Sequence, residues 1–133
     1  MTAGKIRYMF LQFPFLGAAS TRAAIATECA TKQDKFWEYH DAIFEAYGKQ
    51  SSAAYSSDAL LDTAGKLGLN KEQFSTCMSD PAVQQLLQAD VNAGRTLGVN
   101  STPTLFIADK MYRGLNTFEF YSARIEEALA AKR

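Results

Sequence analysis

Residues 98–107 read Gly98-Val99-Asn100-Ser101-Thr102-Pro103-Thr104-Leu105-Phe106-Ile107, and this stretch decides the fold. Before it lies a run at helical spacing, Val83, Leu86, Leu87, Val91 and Leu97. Gly98 ends that run, because glycine takes the left-handed conformation of a helix C-terminus without steric cost. After Pro103 the period changes, and Thr104 to Ala108 reads as a strand. Asp109-Lys110 fits a two-residue hairpin turn before a second strand, Met111 to Arg113. Asn116, with Glu119 three residues on, predicts the cap of a last amphipathic helix through Phe118, Tyr121, Ile125 and Leu129. The charges of that helix, Arg124, Glu126, Glu127, Lys132 and Arg133, read as its solvated face.

Working back toward the start, Lys5 to Phe13 is nearly all apolar or aromatic (Ile6, Tyr8, Met9, Phe10, Leu11), and Pro14 closes it. A short run that is apolar on both faces predicts a strand buried in a sheet covered on both sides. Ser20 is expected to cap a helix of small residues, Ala23, Ala24, Ala26 and Ala30, with Cys29 among them. Asp34 is expected to cap the next, with Phe36, Ile43, Phe44 and Tyr47 inward and Trp37 beside them. His40 shares that spacing and reads as a half-buried, hydrogen-bonded histidine rather than a base. Gly48 to Ser57 reads as a loop. Ser57 opens a helix with Leu60, Leu61, Ala64 and Leu67 inward, stopped by Gly68. Asn70 with Gln73 resembles a capping box for a short helix through Phe74, Cys77 and Met78. Asp80-Pro81 pairs an N-cap with a proline at the first helical position. The order is therefore strand, five helices, two strands, helix: an α/β domain with a large helical insertion.

Composition bounds the function. With 133 residues, 47% hydrophobic and 21% charged, the chain is one globular domain's worth. Lys plus Arg equals Asp plus Glu, 14 against 14, which argues against nucleic acid or an anionic membrane surface as partner. The longest apolar stretches, such as Tyr8 to Leu11, fall far short of the about 20 residues that span a bilayer, so no membrane insertion is expected. Met1 to Lys5 has no apolar core of a secretory signal, so either the protein is cytosolic or its targeting segment lies elsewhere, and the sequence leaves localisation open. Cys29 and Cys77 permit one internal disulfide, or two buried free thiols. With His40 they show no zinc spacing, so neither a metal nor a cofactor is expected. Neither cysteine sits at a helix N-terminus or beside a cation that would activate a thiol.

Several motifs in order carry a resemblance. They are Phe13-Pro14 closing a strand, Glu28-Cys29-Ala30 in an alanine-rich helix, and Lys35-Phe36-Trp37-Glu38-Tyr39-His40-Asp41. Phe74 to Cys77 and Gly98-Val99 leading to Thr102-Pro103-Thr104 follow. From about Lys5 to Leu129 the chain resembles the DsbA-like group of thioredoxin-fold thiol–disulfide oxidoreductases, a family whose members usually work outside the bacterial cytoplasm. The resemblance implies a cis Thr102–Pro103 peptide bond, with Thr102 and Pro103 binding substrate polypeptide. It also implies a structural Cys29–Cys77 disulfide. The family carries an earlier strand leading into a Cys-x-x-Cys; this sequence has no such motif, and no residue is assigned a catalytic role. The expected architecture is thus a single incomplete thioredoxin-like domain over 1–133. Residues 18–98 form its helical insertion, with 5–14 and 99–133 as the thioredoxin-fold portions.

In the family the absent strand lies between the equivalents of Lys5–Phe13 and Thr104–Ala108. Without it the flanking strands are expected to close up, to share a strand with a second copy in a homo-oligomer, or to belong to a longer chain. The expected function is a DsbA-like domain that is redox-inactive as it stands. Two alternatives are a peptide-binding or assembly module using the proline loop and strand edge, and a fragment of a glutathione-using, kappa-class-transferase-like enzyme.

Overall fold

The computed structural model describes residues 4–131. It holds six α-helices, a 3-10 turn and one hairpin in two compact units, residues 1–93 and 94–133. In the first unit α1 (Ala18–Thr31) is followed by α2 (Phe36–Gln50), a 3-10 turn over Ser51–Tyr55, α3 (Ser57–Lys66) and α4 (Lys71–Met78). Next comes α5 (Pro81–Thr96), which runs on past the end of that unit.

The core of the first unit forms around α1. Its small side chains Ala23, Ala24, Ala26 and Ala30 are all buried, which lets neighbouring backbones approach, and α2, α3 and α4 all pack on it. The larger core residues Tyr39, Leu60, Phe74 and Val83 are at most 1% exposed. Tyr39 stacks obliquely on Phe74 (centroids 5.4 Å apart) while its hydroxyl donates to the Leu60 carbonyl at 2.9 Å. The ring is thereby buried and its one polar atom satisfied, as a buried tyrosine requires. Burial pushes the Tyr39 phenol well above its ordinary pKa of 10.0.

The helix starts show which sequence signals act. Ser56, not Ser57, caps α3 by accepting from the Ala59 N–H at 3.3 Å. Asn70 accepts from Gln73 N–H at 2.9 Å; its own N–H donates to the Gln33 side chain (2.8 Å), so the reciprocal half of the box comes from another helix connection. Asp80 accepts from Ala82 N–H at 2.9 Å and from Lys32 Nζ at 3.2 Å, and these two contacts hold its carboxyl below the usual range. Ser20 and Asp34 are not caps. Gly17 precedes α1 and Lys35 precedes α2, with Asp34 in a left-handed turn (φ 57°). The Ser/Ala stretch 48–57 is not a loop but the end of α2 followed by the 3-10 turn. Phe44 and Tyr47, expected inward, are exposed, as are Leu86 and Leu97 of the run leading to Gly98.

The second unit contains the hairpin β1 (Thr104–Ile107) and β2 (Lys110–Arg113) followed by α6 (Phe118–Ala131). The strands pair antiparallel with Ile107 opposite Lys110, so the turn residues are Ala108-Asp109, one position earlier than expected, with Ala108 at φ 55°. Thr117, not Asn116, caps α6 through its hydroxyl, which accepts from Phe120 N–H at 3.2 Å. Arg124 lies over the Phe120 ring and pairs with Glu127, so its stem covers apolar surface rather than lying free in solvent. Lys132 and Arg133 lie outside the described residues.

The first expected strand is the main correction. Residues 5–13 form no ladder, and β1 and β2 are the only strands among the described residues. A strand is defined by a pairing neighbour, and nothing among the described residues pairs with this segment. It is also not buried: Met9 is 63% and Leu11 49% exposed.

Replacing Tyr39 by Phe deletes the donor to the buried Leu60 carbonyl and is expected to cost about 1–3 kcal/mol in urea unfolding. The raised phenol pKa has a second consequence. Its stabilisation is complete below pH 10 and is lost as pH rises toward the folded-state value, so the gap between wild type and Tyr39→Phe narrows at alkaline pH. A gap that widens above pH 10 would contradict the assigned burial.

Candidate functional site

Two features carry the chemistry that the sequence points to. In the second unit, Gly98 closes the turn after α5, its N–H donating to Arg95 O at 2.9 Å, and Val99 N–H donates to Gly94 O at 2.9 Å. Gly98 is at φ 80°, which a side chain would strain. Arg113 reaches back from β2 to donate to the Gly98 carbonyl at 3.2 Å. The chain then crosses Asn100-Ser101 into a cis Thr102–Pro103 peptide bond. Thr104 Oγ1 donates to Ser101 O at 2.7 Å, and Gly114 N–H donates to Pro103 O at 2.8 Å, so both ends of the turn are tied to the hairpin. Thr102 and Pro103 themselves are exposed. Among the described residues the backbone N–H and C=O of Thr102 pair with no other backbone group. The loop thus presents one free peptide edge on a fixed support.

In the first unit, Cys29 in α1 is joined to Cys77 in α4, with Cα atoms 5.7 Å apart across 48 positions of sequence. Both sulfurs lie in the core, among residues that include Phe74 and Ala30. There is no other cysteine in the sequence. Cys29 is 1% and Cys77 9% exposed, and neither lies in the first turn of its helix.

His40 lies among the rings of Phe10, Phe36, Trp37 and Phe44, at centroid distances of 4.7–5.9 Å. Its Nδ1 is 2.9 Å from the Asp41 carboxylate, and no nucleophile accompanies it among these contacts. Trp37, placed beside the inward residues of its helix, is 44% exposed and touches Tyr8 and Phe10. No group of three metal-ligating side chains occurs among the described residues. No helix among them is long and apolar enough to cross a membrane.

Sequence reasoning missed Gln12, which is buried and doubly bonded. Its N–H donates to Asp90 (3.1 Å) and its side-chain amide to Glu28 (3.1 Å). A polar residue inside an apolar run was the available signal.

The family model described as thioredoxin matches residues 1–127. The chain is 28% identical over 108 residues to a probable disulfide bond formation protein D of Bacillus cereus, covering 78% of this chain and 50% of that protein. It is likewise 28% identical over 130 residues to the Na(+)/H(+) antiporter NhaA 3 of Salinispora tropica, covering 96% of this chain and 19% of the antiporter. Among solved structures, the thiol-disulfide exchange protein alpha-DsbA2 of Wolbachia pipientis superposes with a TM-score of 0.78 at 26% identity. That match covers 95% of this chain and 67% of alpha-DsbA2. The chain therefore spans about half the length of the Bacillus protein it matches.

Replacing both Cys29 and Cys77 by alanine opens a long loop in the unfolded state. It is expected to lower stability by about 2–4 kcal/mol, measured by denaturant unfolding under non-reducing conditions. Titration of the denatured, unreduced wild-type protein should find no free thiol.

Proposed function

The chain belongs to the thioredoxin family, in its DsbA-like group, and from that premise we propose that it is the client-presenting scaffold of a thiol–disulfide oxidoreductase. The exposed Thr102–Pro103 loop, whose Thr102 backbone has no backbone partner among the described residues, carries this reading. Its free Thr102 peptide edge suits an extended client strand, which would be fixed by main-chain bonds regardless of its sequence. In such an exchange a thiolate attacks one sulfur of the client disulfide. A mixed disulfide forms as the S–S bond breaks, and the displaced sulfur leaves as a thiolate that takes up a proton. A second thiolate then attacks the sulfur that attacked first, so that those two form a disulfide. The client's remaining sulfur leaves as a thiolate that takes up a proton. The reading assigns that thiol pair to no residue of this sequence, whose two cysteines are bonded to each other in the core. Cys29–Cys77 serves as a structural clasp, and the 133 residues alone are redox-silent.

The similarity to a fifth of an antiporter's length supports a module that works while joined to other polypeptide. The peptide-binding alternative describes the same loop without chemistry and differs only in what acts on the bound client. Neither the Bacillus protein nor alpha-DsbA2 bears a name that favours the glutathione-using alternative.

The test uses an extended, blocked peptide containing one methylated cysteine, titrated into isotopically labelled protein. Resonance shifts are expected at residues 101–104 and should be lost in Pro103→Ala. Shifts confined to other residues would overturn the reading, as would turnover of a dithiol peptide by this chain alone.

A further inference from the structure

Arg113 carries a positive charge that the proline-loop reading does not use. It is the last residue of β2 and stands opposite Thr104, and the residue after it, Gly114, donates to the Pro103 carbonyl at 2.8 Å. Facing residues of an antiparallel pair project to one side. Arg113 therefore shares a face with Thr104, whose hydroxyl holds the Ser101 carbonyl at 2.7 Å. From there the guanidinium reaches Gly98, donating to its carbonyl at 3.2 Å. The side chain thus spans the foot of residues 99–103, from one anchor of the loop to the other.

A carbonyl occupies an N–H but neutralises no charge. Arg113 is exposed and forms no ion pair among the described residues. The described acidic residues of the second unit lie elsewhere. Glu119, Glu126 and Glu127 belong to α6, which meets the opposite face of the hairpin where the rings of Tyr112 and Phe120 lie 5.5 Å apart. Glu127 is also taken by Arg124. Asp109 sits in the turn at the far end of the hairpin. An uncompensated guanidinium is therefore held in place beside the exposed Thr102 peptide.

We propose that Arg113 determines specificity at this edge, selecting extended polypeptides that carry an aspartate or glutamate within two residues of the cysteine. The inference deepens the proposed function and rests on client binding at Thr102. Client residues two apart share a face of an extended strand, so a carboxylate at that spacing is presented on the side of the loop where the fork waits. The planar fork can meet both carboxylate oxygens at once, and its bond to Gly98 has already removed part of its freedom.

The probes are short, blocked peptides with one methylated cysteine, differing only in a Glu, Gln or Lys placed two residues before or after it. Each is titrated into labelled protein, and affinity is read from resonance shifts at residues 101–104. At one of the two placements the Glu peptide is expected to bind about two- to fivefold more tightly than the Gln peptide, and the Lys peptide more weakly. High salt should shrink the difference. Arg113→Gln should abolish the Glu-to-Gln ratio, Arg113→Lys should keep part of it, and Arg113→Glu should turn the preference toward the Lys peptide. Because the ratio is taken within one variant, a general loosening of the loop lowers both affinities and leaves the ratio unchanged. Equal binding of Glu and Gln peptides with shifts at 101–104 would overturn the role of Arg113 and leave the loop reading standing. A Glu preference that survives in Arg113→Gln would overturn it too. Absence of shifts at 101–104 with every peptide would overturn both.

Discussion

Close approach to a helix of small side chains is the constraint on which the first unit depends. Ala23, Ala24, Ala26 and Ala30 give α1 almost no lateral bulk, and every one of them is buried. Because α1 is thin, α2, α3 and α4 can all reach it, and their larger residues, Tyr39, Leu60 and Phe74, fill the space between. The disulfide belongs to the same arrangement. Two Cα atoms can come within bonding reach of each other's sulfurs only where the helices bearing them approach closely. A valine or leucine in place of one of these alanines would push a neighbour outward and strain several contacts at once.

Local rules made most of the helices legible and left the first strand misread. Asn70 and Asp80 act as caps because the signal is a short side chain beside free N–H groups, a matter of a few neighbouring atoms. Ser20, Asp34 and Asn116 carry the same chemistry one to three positions from where the backbone turns, and boundaries at that scale depend on packing. Residues 5–13 do have the period of a strand, but pairing is a property of two segments, and one segment's sequence contains only half of it. Phe44, Leu86 and Leu97 show a related limit. Spacing finds an apolar face, while burial depends on whether something covers it.

The candidate site was readable only through likeness. Nothing in the composition around Thr102-Pro103 specifies a cis bond, and nothing in the spacing of Cys29 and Cys77 specifies that they meet; the motifs in order supplied both expectations. The supports of the loop were not visible at all. They include Arg113 on the Gly98 carbonyl and Gly114 on the Pro103 carbonyl, contacts made across a hairpin whose register was expected one residue away. The Thr102 peptide has no backbone partner among the described residues, while the segments on either side of it are tied down.

The link between Cys29 and Cys77 also makes a covalent ring that threads through α2, the 3-10 turn, α3 and most of α4. A protease that nicks any exposed peptide within that ring leaves two ends still tethered at the sulfurs. The nicked molecule loses no fragment, gaining only the water of hydrolysis, and its two pieces stay joined until a reductant separates them.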